Sequence, residues 1–328
     1  MKILITGGAG YVASSVVHEL KKLGHEITVF DSLIYGHKEA LPKGIKLIEG
    51  DLLHKETLAD IFETNNPEAV LHFASYTYVG ESVENPEKYF ENNVVGSLNL
   101  LSVMREYNVK KIVYSSSAAV YGEPKEIPIP ESHPLQPTSP YGETKVIVET
   151  FLRSFDRAYG IKFVSLRYFN AAGADLEFDV GEDHDPETHL IPLVMKTALG
   201  KQKDIKIFGT DYDTPDGTCV RDYIHVKDLA SAHILALEKL NKGGKSSVYN
   251  LGGGKGTSVR EIIETVKKVS GKKFKVIESK RRPGDPARLV ASNTLAKKEL
   301  GWELKYSDIE TIIKDAWEWH LKYPEGYK

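Results

Sequence analysis

The first 31 residues of the chain combine two short apolar stretches with a glycine turn, a helical pattern and a terminal acid. In order, these parts are an apolar stretch at 2–6, the small residues Gly7, Gly10 and Ala13, a helical pattern at 11–23, a stop at Gly24, a second apolar stretch at 26–30 and Asp31. This order is typical of a β-strand, a tight turn, an α-helix and a second strand parallel to the first. The opening segment therefore predicts a layered α/β fold.

The glycine turn also predicts a ligand. Gly7 permits the tight turn, and Gly10 lets the backbone come close to a pyrophosphate. The helix that follows offers free N–H groups and the positive end of its dipole to such an anion. Asp31 can accept hydrogen bonds from ribose hydroxyls and would repel a 2′-phosphate, so the predicted cofactor is NAD rather than NADP.

The alternation of strand and helix continues through the first half of the chain. We predict further strands at 45–48, 69–73, 111–114 and 162–166, and helices at 86–107 and 141–159. Repeated βα units predict a Rossmann-type doubly wound parallel sheet with helices on both faces. We expect an NAD-binding domain at 1–170 and a smaller C-terminal α/β substrate-binding domain mainly at 171–328, with some segments returning to the first.

The second half shows a weaker alternation. We assign to the smaller domain strands near 205–208 and 247–251 and helices near 227–239, 258–269 and 308–321. Ser258 with Glu261 predicts a capping box at the start of one of these helices.

Polar residues follow the predicted strands at their carboxyl ends, which is where ligands of such sheets bind. These residues are Asp31, Asp51, Ser75, Ser117 and Arg167. Asp51 fits an adenine contact and a turn cap equally well.

Composition narrows the class of protein. The 328 residues carry a net charge of −3, which gives no reason to expect a nucleic-acid partner. No apolar stretch approaches the ~18 residues that a membrane span needs. Cys219 is the only cysteine, which excludes an internal disulfide and fits a reducing cytoplasm.

Tyr141 and Lys145 lie four residues apart in a predicted helix that starts at Pro140, and positions i and i+4 share one helix face. A cation beside a phenol favours the phenolate, so we expect a lowered Tyr141 pKa and a general base. The spacing alone is a weak signal, and the surrounding dinucleotide pattern gives it weight.

Longer matches point to a known family. Residues 115–122, 139–142, 166–170 and 281–285, and above all the run 207–226, resemble the extended short-chain dehydrogenase/reductases and in particular their sugar-nucleotide epimerases. The resemblance covers essentially the whole chain. It implies NAD-dependent inversion at C4 between UDP-galactose and UDP-glucose through a 4-keto sugar, in a protein that forms a homodimer through helices of the nucleotide domain.

The resemblance also implies site residues. The implied catalytic residues are Ser117, Tyr141 and Lys145. The implied cofactor-binding residues are Gly7, Gly10, Tyr11, Val12, Asp31, Ser32, Asp51, Leu52, Phe73, Ala74, Ser75, Thr77, Asn92, Ser115, Tyr141, Lys145 and Tyr168. The implied substrate-binding residues are Ser117, Tyr141, Asn170, His189, Leu190, Phe208, Arg221, Arg282 and Asp285, and Asn92 also matches a position of this set. Ala13 and Thr77 stand where many members of the family have glycine and lysine.

Two of these assignments have a physical reading of their own. The guanidinium groups of Arg221 and Arg282 suit a diphosphate, because each can hold two phosphate oxygens. Each arginine could equally be a structural or surface residue. Phe208 could stack on uracil, but a core position is the more common role.

Residues 183–189, with the sequence DHDPETH, superficially resemble a set of metal ligands. Their spacing matches no closed zinc pattern, and hydride transfer needs no metal. We expect a polar loop near the substrate and no metal site.

Three other functions use the same scaffold. A sugar-nucleotide 4,6-dehydratase needs an acid–base pair where this chain has Ala118 and Ala119, which lack the necessary groups. A simple alcohol dehydrogenase or reductase would release NADH, and a non-catalytic NAD-binding regulator would leave Tyr141 and Lys145 without a purpose. Acceptance of N-acetylated sugars, as in a UDP-N-acetylglucosamine 4-epimerase or a dual-specificity enzyme, depends on room around the hexose, for which Leu289 is a candidate gate.

Overall fold

The computed structural model describes residues 1–282 and 285–327. Over these residues the strands are β1 Lys2–Thr6, β2 Glu26–Asp31, β3 Lys46–Glu49, β4 Ala69–His72, β5 Lys111–Ser117, β6 Lys162–Tyr168, β7 Asn170–Ala172, β8 Asp204–Phe208, β9 Val220–Arg221, β10 Tyr223–His225, β11 Ser247–Leu251, β12 Thr257–Ser258, β13 Lys275–Ser279 and β14 Arg288–Leu289. The helices are α1 Tyr11–Lys22, α2 Lys55–Asn65, α3 Val79–Glu84, α4 Pro86–Tyr89, α5 Gly96–Glu106, α6 Pro140–Tyr159, α7 Leu190–Ala198, α8 Val226–Asn241, α9 Val259–Ser270, α10 Thr294–Leu300 and α11 Ile309–Lys322. A π-helical turn, Phe90–Val95, joins α4 to α5.

Seven parallel strands form the main sheet, in the order β11-β6-β5-β4-β1-β2-β3. β1 lies between β2 on one side and β4 on the other, so the direction in which the sheet is built reverses at this point. Such a switch point leaves a crevice at the carboxyl ends of the strands. The predicted Rossmann-type doubly wound fold is confirmed.

Alternate residues of the central strand enter two different cores, so that both faces of the sheet are covered. Ile3 and Ile5 of β1 pack with residues of α1 and α8, among them Val16 and Leu237. Leu4, which points the other way, packs with residues of α2, α5 and α6. The near-continuous apolar run of β1 follows from this two-sided burial.

A third core belongs to a smaller unit beside the main sheet. It is formed by α7, α9 and α11 with β8 and β13, and its members include Met195, Ile207, Ile263 and Trp317. The strands β8 and β13 pair in parallel as a separate two-stranded sheet. The predicted capping box is present at the start of α9, where Ser258 and Glu261 exchange hydrogen bonds with each other's backbone N–H groups.

Two elements that the sequence placed in the smaller unit lie elsewhere. The strand β11 pairs in parallel with β6 at the edge of the main sheet, and α8 packs in the same core as α1. Both elements are apolar on the side that is buried, and periodicity reports burial without reporting the partner. Assigning 247–251 and 227–239 to the smaller unit is therefore wrong.

The helix α6 carries Tyr141 and Lys145 and begins where the sequence predicts. The Ser139 hydroxyl accepts a hydrogen bond from the Gly142 N–H at 3.2 Å, and Pro140 occupies the first helical position. The helix ends at Gly160, which adopts a left-handed conformation with φ of 69°.

Glu149, one turn beyond Lys145, ties α6 to the main sheet. Its two carboxylate oxygens accept hydrogen bonds from Arg167 of β6 at 2.8 and 2.5 Å. The Ser116 hydroxyl of β5 donates to the same carboxylate at 2.7 Å, and Arg167 also donates to the Tyr121 hydroxyl at 2.9 Å. Because the ion pair is two-pronged and buried, it fixes the helix against two strands.

Replacing Arg167 with methionine should leave the Glu149 carboxylate buried without its cation. We expect the free energy of unfolding to fall by roughly 3–5 kcal/mol. Arg153→Met is the matched control, since Arg153 also reaches Glu149, at 3.5 Å, but has a side chain that is 44% exposed. For this control we expect a loss below about 0.5 kcal/mol. Urea unfolding measures both, and equal losses would contradict the role of the buried pair.

Candidate active site

A cavity of about 450 Å³ opens at the carboxyl ends of the main sheet. It reaches from the glycine turn after β1 to the start of the smaller unit. The predicted site residues that line it are Gly7, Gly10, Tyr11, Val12, Asp31, Ser32, Asp51, Leu52, Phe73, Ala74, Ser75, Thr77, Asn92, Ser115, Ser117, Tyr141, Tyr168, Asn170, His189 and Arg221. The fold thus brings residues from most of the strand ends of the sheet into one site.

The two glycines of the turn have different roles. Gly7 is required by close packing, and Gly10 leaves open space in front of the helix. Gly7 has a φ of +70°, and a Cβ there would come within 2.4 Å of the Ala74 nitrogen. A Cβ on Gly10 would meet the Gly7 carbonyl at 3.3 Å and otherwise open space among the described residues. Gly10 directly precedes α1, whose first turn carries no acidic residue. The space in front of this helix N-terminus fits a pyrophosphate.

Asp31 ends β2 at the edge of the cavity. Its carboxylate accepts hydrogen bonds from the backbone N–H groups of Ala9 and Leu33, both at 2.9 Å. Burial raises the pKa of this carboxyl group, and the two hydrogen bonds oppose the rise. The carboxylate is therefore held in a fixed position beside the glycine turn, as a ribose contact of NAD requires. Together with the open space at Gly10, this geometry fits a dinucleotide.

Ser117 and Tyr141 face each other across the end of β5 and the start of α6. Burial raises the pKa of the Tyr141 phenol to about 12, and a hydrogen bond with Ser117 lowers it in part. The expectation of a lowered Tyr141 pKa is wrong for the protein without its cofactor. Burial removes water that would stabilise the charged phenolate, and the neighbouring groups stabilise the phenolate less than that water would.

Lys145 does little to stabilise the Tyr141 phenolate. Its ammonium donates to the Ser115 carbonyl at 2.9 Å and lies 5.6 Å from the centroid of the Tyr141 ring. Burial lowers the pKa of Lys145 itself to about 7, with Glu149 opposing the change. A lysine that is only partly charged near neutral pH is a weak stabiliser of a phenolate.

Five predicted residues lie outside the cavity lining. These are Lys145, Leu190, Phe208, Arg282 and Asp285. Asp285 contacts the cavity wall indirectly, because it pairs with Arg221 at 3.3 Å. The guanidinium of Arg282 lies over the Phe208 ring, 4.0 Å from its centroid. Lys145 also stands behind the lining and reaches it through Ser115.

Sequence reasoning missed an aromatic wall of the cavity. Tyr35, Tyr76 and Tyr78 line it and pack edge to face, with ring centroids 5.3–5.5 Å apart for the two pairs that Tyr35 makes. Asn93 holds this wall by accepting the Tyr76 N–H at 2.8 Å and donating to Thr144 of α6 at 3.1 Å. Tyr76 and Tyr78 are close in the sequence, but Tyr35 lies 41 residues before Tyr76, so no local pattern joins the three rings.

The loop before α7 brings a further group of side chains to the cavity. Glu182, His184 and His189 line it, and Glu187 lies directly behind them. Burial lowers the pKa of the His189 imidazole, but the carboxylates of Glu182 and Glu187 outweigh this effect and raise the pKa to about 10. Glu182 lies just before the polar run at 183–189, and the fold adds it to this group.

Comparison with known proteins identifies the class. A model of the NAD dependent epimerase/dehydratase family matches residues 3–252. With its doubly wound sheet, its glycine turn and its Ser117–Tyr141 pair, this chain belongs to the NAD-dependent epimerase/dehydratase family.

Individual relatives are similar over the full length. The chain is 51% identical over 327 residues to the UDP-glucose 4-epimerase of Halalkalibacterium halodurans, covering 100% of this chain and 98% of that protein. A crystal structure of a UDP-glucose 4-epimerase matches with a TM-score of 0.98 at 49% identity, and 100% of each chain is covered. The enzyme of the same name from Bifidobacterium longum, solved in complex with NAD⁺ and UDP, matches with a TM-score of 0.94 at 40% identity over 100% of each chain.

Among the helices of the described residues, none is both long enough and apolar enough to cross a membrane.

The lowered Lys145 pKa predicts a pH-dependent stability of the NAD-free protein. Between about pH 7 and 10.5 the unfolded chain holds a proton on Lys145 that the folded protein has lost. The free energy of unfolding should therefore rise as the pH rises through this window. Urea unfolding at pH 7.5 and 9.5 measures the rise, which Lys145→Met should reduce.

Lys273→Met is the control for this prediction, because Lys273 is exposed. It should keep the wild-type rise. A Lys145→Met protein with the same rise as wild type would show that Lys145 is not the titrating group.

Proposed function

We propose that this protein interconverts UDP-galactose and UDP-glucose by inverting the sugar at C4. The observation that carries the proposal is that Ser117 and Tyr141 meet at the wall of the cavity that also contains the glycine turn and Asp31. A hydroxyl pair beside a dinucleotide cradle suits the oxidation and reduction of a secondary alcohol. The relatives that match over the full chain carry the name of this activity.

NAD is the cofactor of this family and is present in solved relatives. The turn from Gly7 to Gly10 and the N-terminus of α1 would hold its pyrophosphate, and Asp31 would hold the adenosine ribose. When bound, NAD supplies a hydride acceptor that can return the hydride, and its oxidised ring carries a positive charge.

Tyr141 is the proposed proton carrier. Its phenolate takes the proton of the sugar 4-hydroxyl as C4 is oxidised, and the resulting phenol returns that proton when C4 is reduced. Ser117 holds the same oxygen by a hydrogen bond as the carbonyl forms. Because burial raises the Tyr141 pKa to about 12, the phenolate needs more positive charge than Lys145 alone supplies.

The nucleotide half of the substrate must stay bound while the sugar turns over. Arg221 is the proposed anchor, since it lines the cavity and its side chain is only 14% exposed. Asp285 and the Pro286 carbonyl, which accepts from Arg221 at 2.8 Å, hold the guanidinium in place. A planar, fixed guanidinium suits a diphosphate.

Two features separate this reaction from its rivals. Ala118 and Ala119 line the cavity next to Ser117, where a 4,6-dehydratase needs an acid and a base. Methyl groups cannot expel a 6-hydroxyl. A reductase would share the site but would convert NAD to NADH in each turnover, whereas an epimerase returns the hydride to the same sugar.

We expect the purified protein to convert UDP-galactose to UDP-glucose without added NAD and without net formation of NADH. Tyr141→Phe removes the acidic proton while keeping the ring, so we expect turnover to fall at least ~100-fold, the usual effect of losing a general acid–base group. Coupled product analysis and absorbance at the NADH band measure both.

Tyr159→Phe serves as the control, because Tyr159 is exposed at the end of α6. It should keep wild-type turnover. A parallel incubation with UDP-N-acetylgalactosamine tests the wider substrate range. Accumulation of NADH during turnover would favour the reductase, and full activity in Tyr141→Phe would remove the tyrosine from the reaction.

We further propose a cytoplasmic homodimer. The single buried thiol, Cys219, fits a reducing compartment.

The homodimer would form through apolar side chains that are exposed on the nucleotide domain. These are Val83 of α3, Leu98 of α5 and Val95 in the turn before α5. Sedimentation at micromolar concentration should give twice the mass of the chain, and Val83→Glu with Leu98→Glu should shift it to the single-chain mass. A wild-type monomer would contradict the proposal.

A further inference from the structure

Four side chains of the loop before α7 converge on one point at the cavity wall. One ligand atom from each of Glu182, His184, Glu187 and His189 lies within 4.8 Å of the others. His189 Nδ1 is 2.8 Å from Glu182 Oε1 and 3.0 Å from Glu187 Oε1. His184 Nδ1 is 3.3 Å from Glu182 Oε1 and 3.9 Å from Glu187 Oε2. Two imidazoles and two carboxylates thus face one another at short range.

The hydrogen bonds within this group are unevenly distributed. Glu187 Oε1 lies at 2.7 Å from the Thr188 N–H, at 2.8 Å from the His189 N–H and at 3.0 Å from the His189 ring. Glu187 Oε2 is buried and has no hydrogen-bond partner among the described residues, although its side chain is only 3% exposed. The buried His184 Nδ1 likewise lacks a hydrogen bond with acceptable geometry there. Buried polar atoms are rarely left without a partner, whether that partner is protein, water or an ion.

A third unpaired atom lies beside the same group. The Tyr78 hydroxyl is buried without a hydrogen-bond partner in the described structure. Its ring packs edge to face on His184, with centroids 6.1 Å apart, and tilts against His189 at 6.5 Å. One aromatic ring therefore packs against both imidazoles of the group.

We propose that Glu182, His184, Glu187 and His189 bind one divalent transition-metal ion, with Zn²⁺ as the best match. Imidazole nitrogen and carboxylate oxygen are both ligands that Zn²⁺ accepts. Tetrahedral bonds of ~2.1 Å place ligand atoms about 3.4 Å from one another. The four histidine–glutamate distances are 2.8–3.9 Å, and all four ligand atoms lie within 4.8 Å of one another. The donors approach the required geometry with small side-chain movements.

The simpler reading is a proton in place of the metal, with a charged His189 between the two carboxylates. That reading accounts for Glu182 Oε1 and Glu187 Oε1. It leaves Glu187 Oε2 and His184 Nδ1 unpaired, and these are the two atoms for which a metal would provide a partner.

The ion would have a structural effect on the cavity. Glu182, His184 and His189 line the cavity that we assign to the substrate, and His189 directly precedes α7. A metal bound by all four side chains would fix this loop as one wall of that cavity. The ion takes no part in hydride or proton transfer, so the metal site stands or falls independently of the proposed epimerase activity.

Metal binding by the full-length protein tests the proposal. After treatment with a chelator and desalting, the NAD-bound protein is titrated with CoCl₂, and the visible absorption of tetrahedral Co²⁺ is recorded. We expect one Co²⁺ per chain, displaced by one equivalent of ZnCl₂. His184→Gln and Glu187→Gln should each lower the affinity at least tenfold.

Asp183→Asn is the matched control from the same loop. Its carboxylate accepts the Tyr327 N–H at 2.8 Å and lies outside the four-residue group, so this variant should bind Co²⁺ like wild type. Retained NAD and an unchanged circular dichroism spectrum identify variants that fold. Should a variant fail to fold, anomalous scattering from wild-type crystals soaked in ZnCl₂ locates the ion directly.

Two results would overturn the proposal. One is a wild-type protein that binds no Co²⁺ or Zn²⁺ at micromolar concentration. The other is folded His184→Gln and Glu187→Gln proteins that bind Co²⁺ as tightly as wild type, which would place the ion elsewhere. In both cases an intact UDP-galactose turnover would leave the proposed function untouched.

Discussion

The ion pair between Glu149 and Arg167 holds the catalytic helix in place. Glu149 lies one turn after Lys145 and two turns after Tyr141, so the position of the phenol that we propose as proton carrier depends on how this helix is fixed against the sheet. The ion pair is bidentate and buried, and Glu149 also accepts a hydrogen bond from Ser116 of β5. Ser117, the partner of Tyr141, is the next residue of that strand. One buried carboxylate therefore joins the helix that carries Tyr141 to the strand that carries Ser117.

The same burial that positions the reacting groups also opposes their ionisation. Tyr141 is harder to deprotonate than a free phenol, and Lys145 is easier to deprotonate than a free amine. The largest cause of each pKa shift is the same, the loss of water around a charge. Near neutral pH the Tyr141 phenol is consequently protonated and the Lys145 amine only partly charged in the protein alone. A positive ring brought by the oxidised cofactor would change this balance at the moment when a base is needed, which links cofactor binding to catalytic competence.

Much of the fold could be predicted because the signals were local. A strand that is buried on both faces reads as an apolar run, a helix that starts at Ser139-Pro140 carries its own cap, and a glycine turn between strand and helix leaves few alternatives. The elements placed in the wrong unit, β11 and α8, have equally clear patterns. The prediction was wrong about their packing partners, because an apolar face indicates that a side is buried but not which strand or helix covers it.

The sequence by itself determined the class of fold and the strand–turn–helix order of the glycine turn, since each depends on residues close together in the chain, and it predicted the two hydroxyl groups that we propose to react. Tertiary structure decided the environment of those residues, including how much water and which charges surround them. It set the direction of the Tyr141 pKa shift, because desolvation depends on everything that surrounds the phenol. It also brought Glu182 to His184, Glu187 and His189, because a loop's path, unlike a strand or helix, has no period that a sequence reveals.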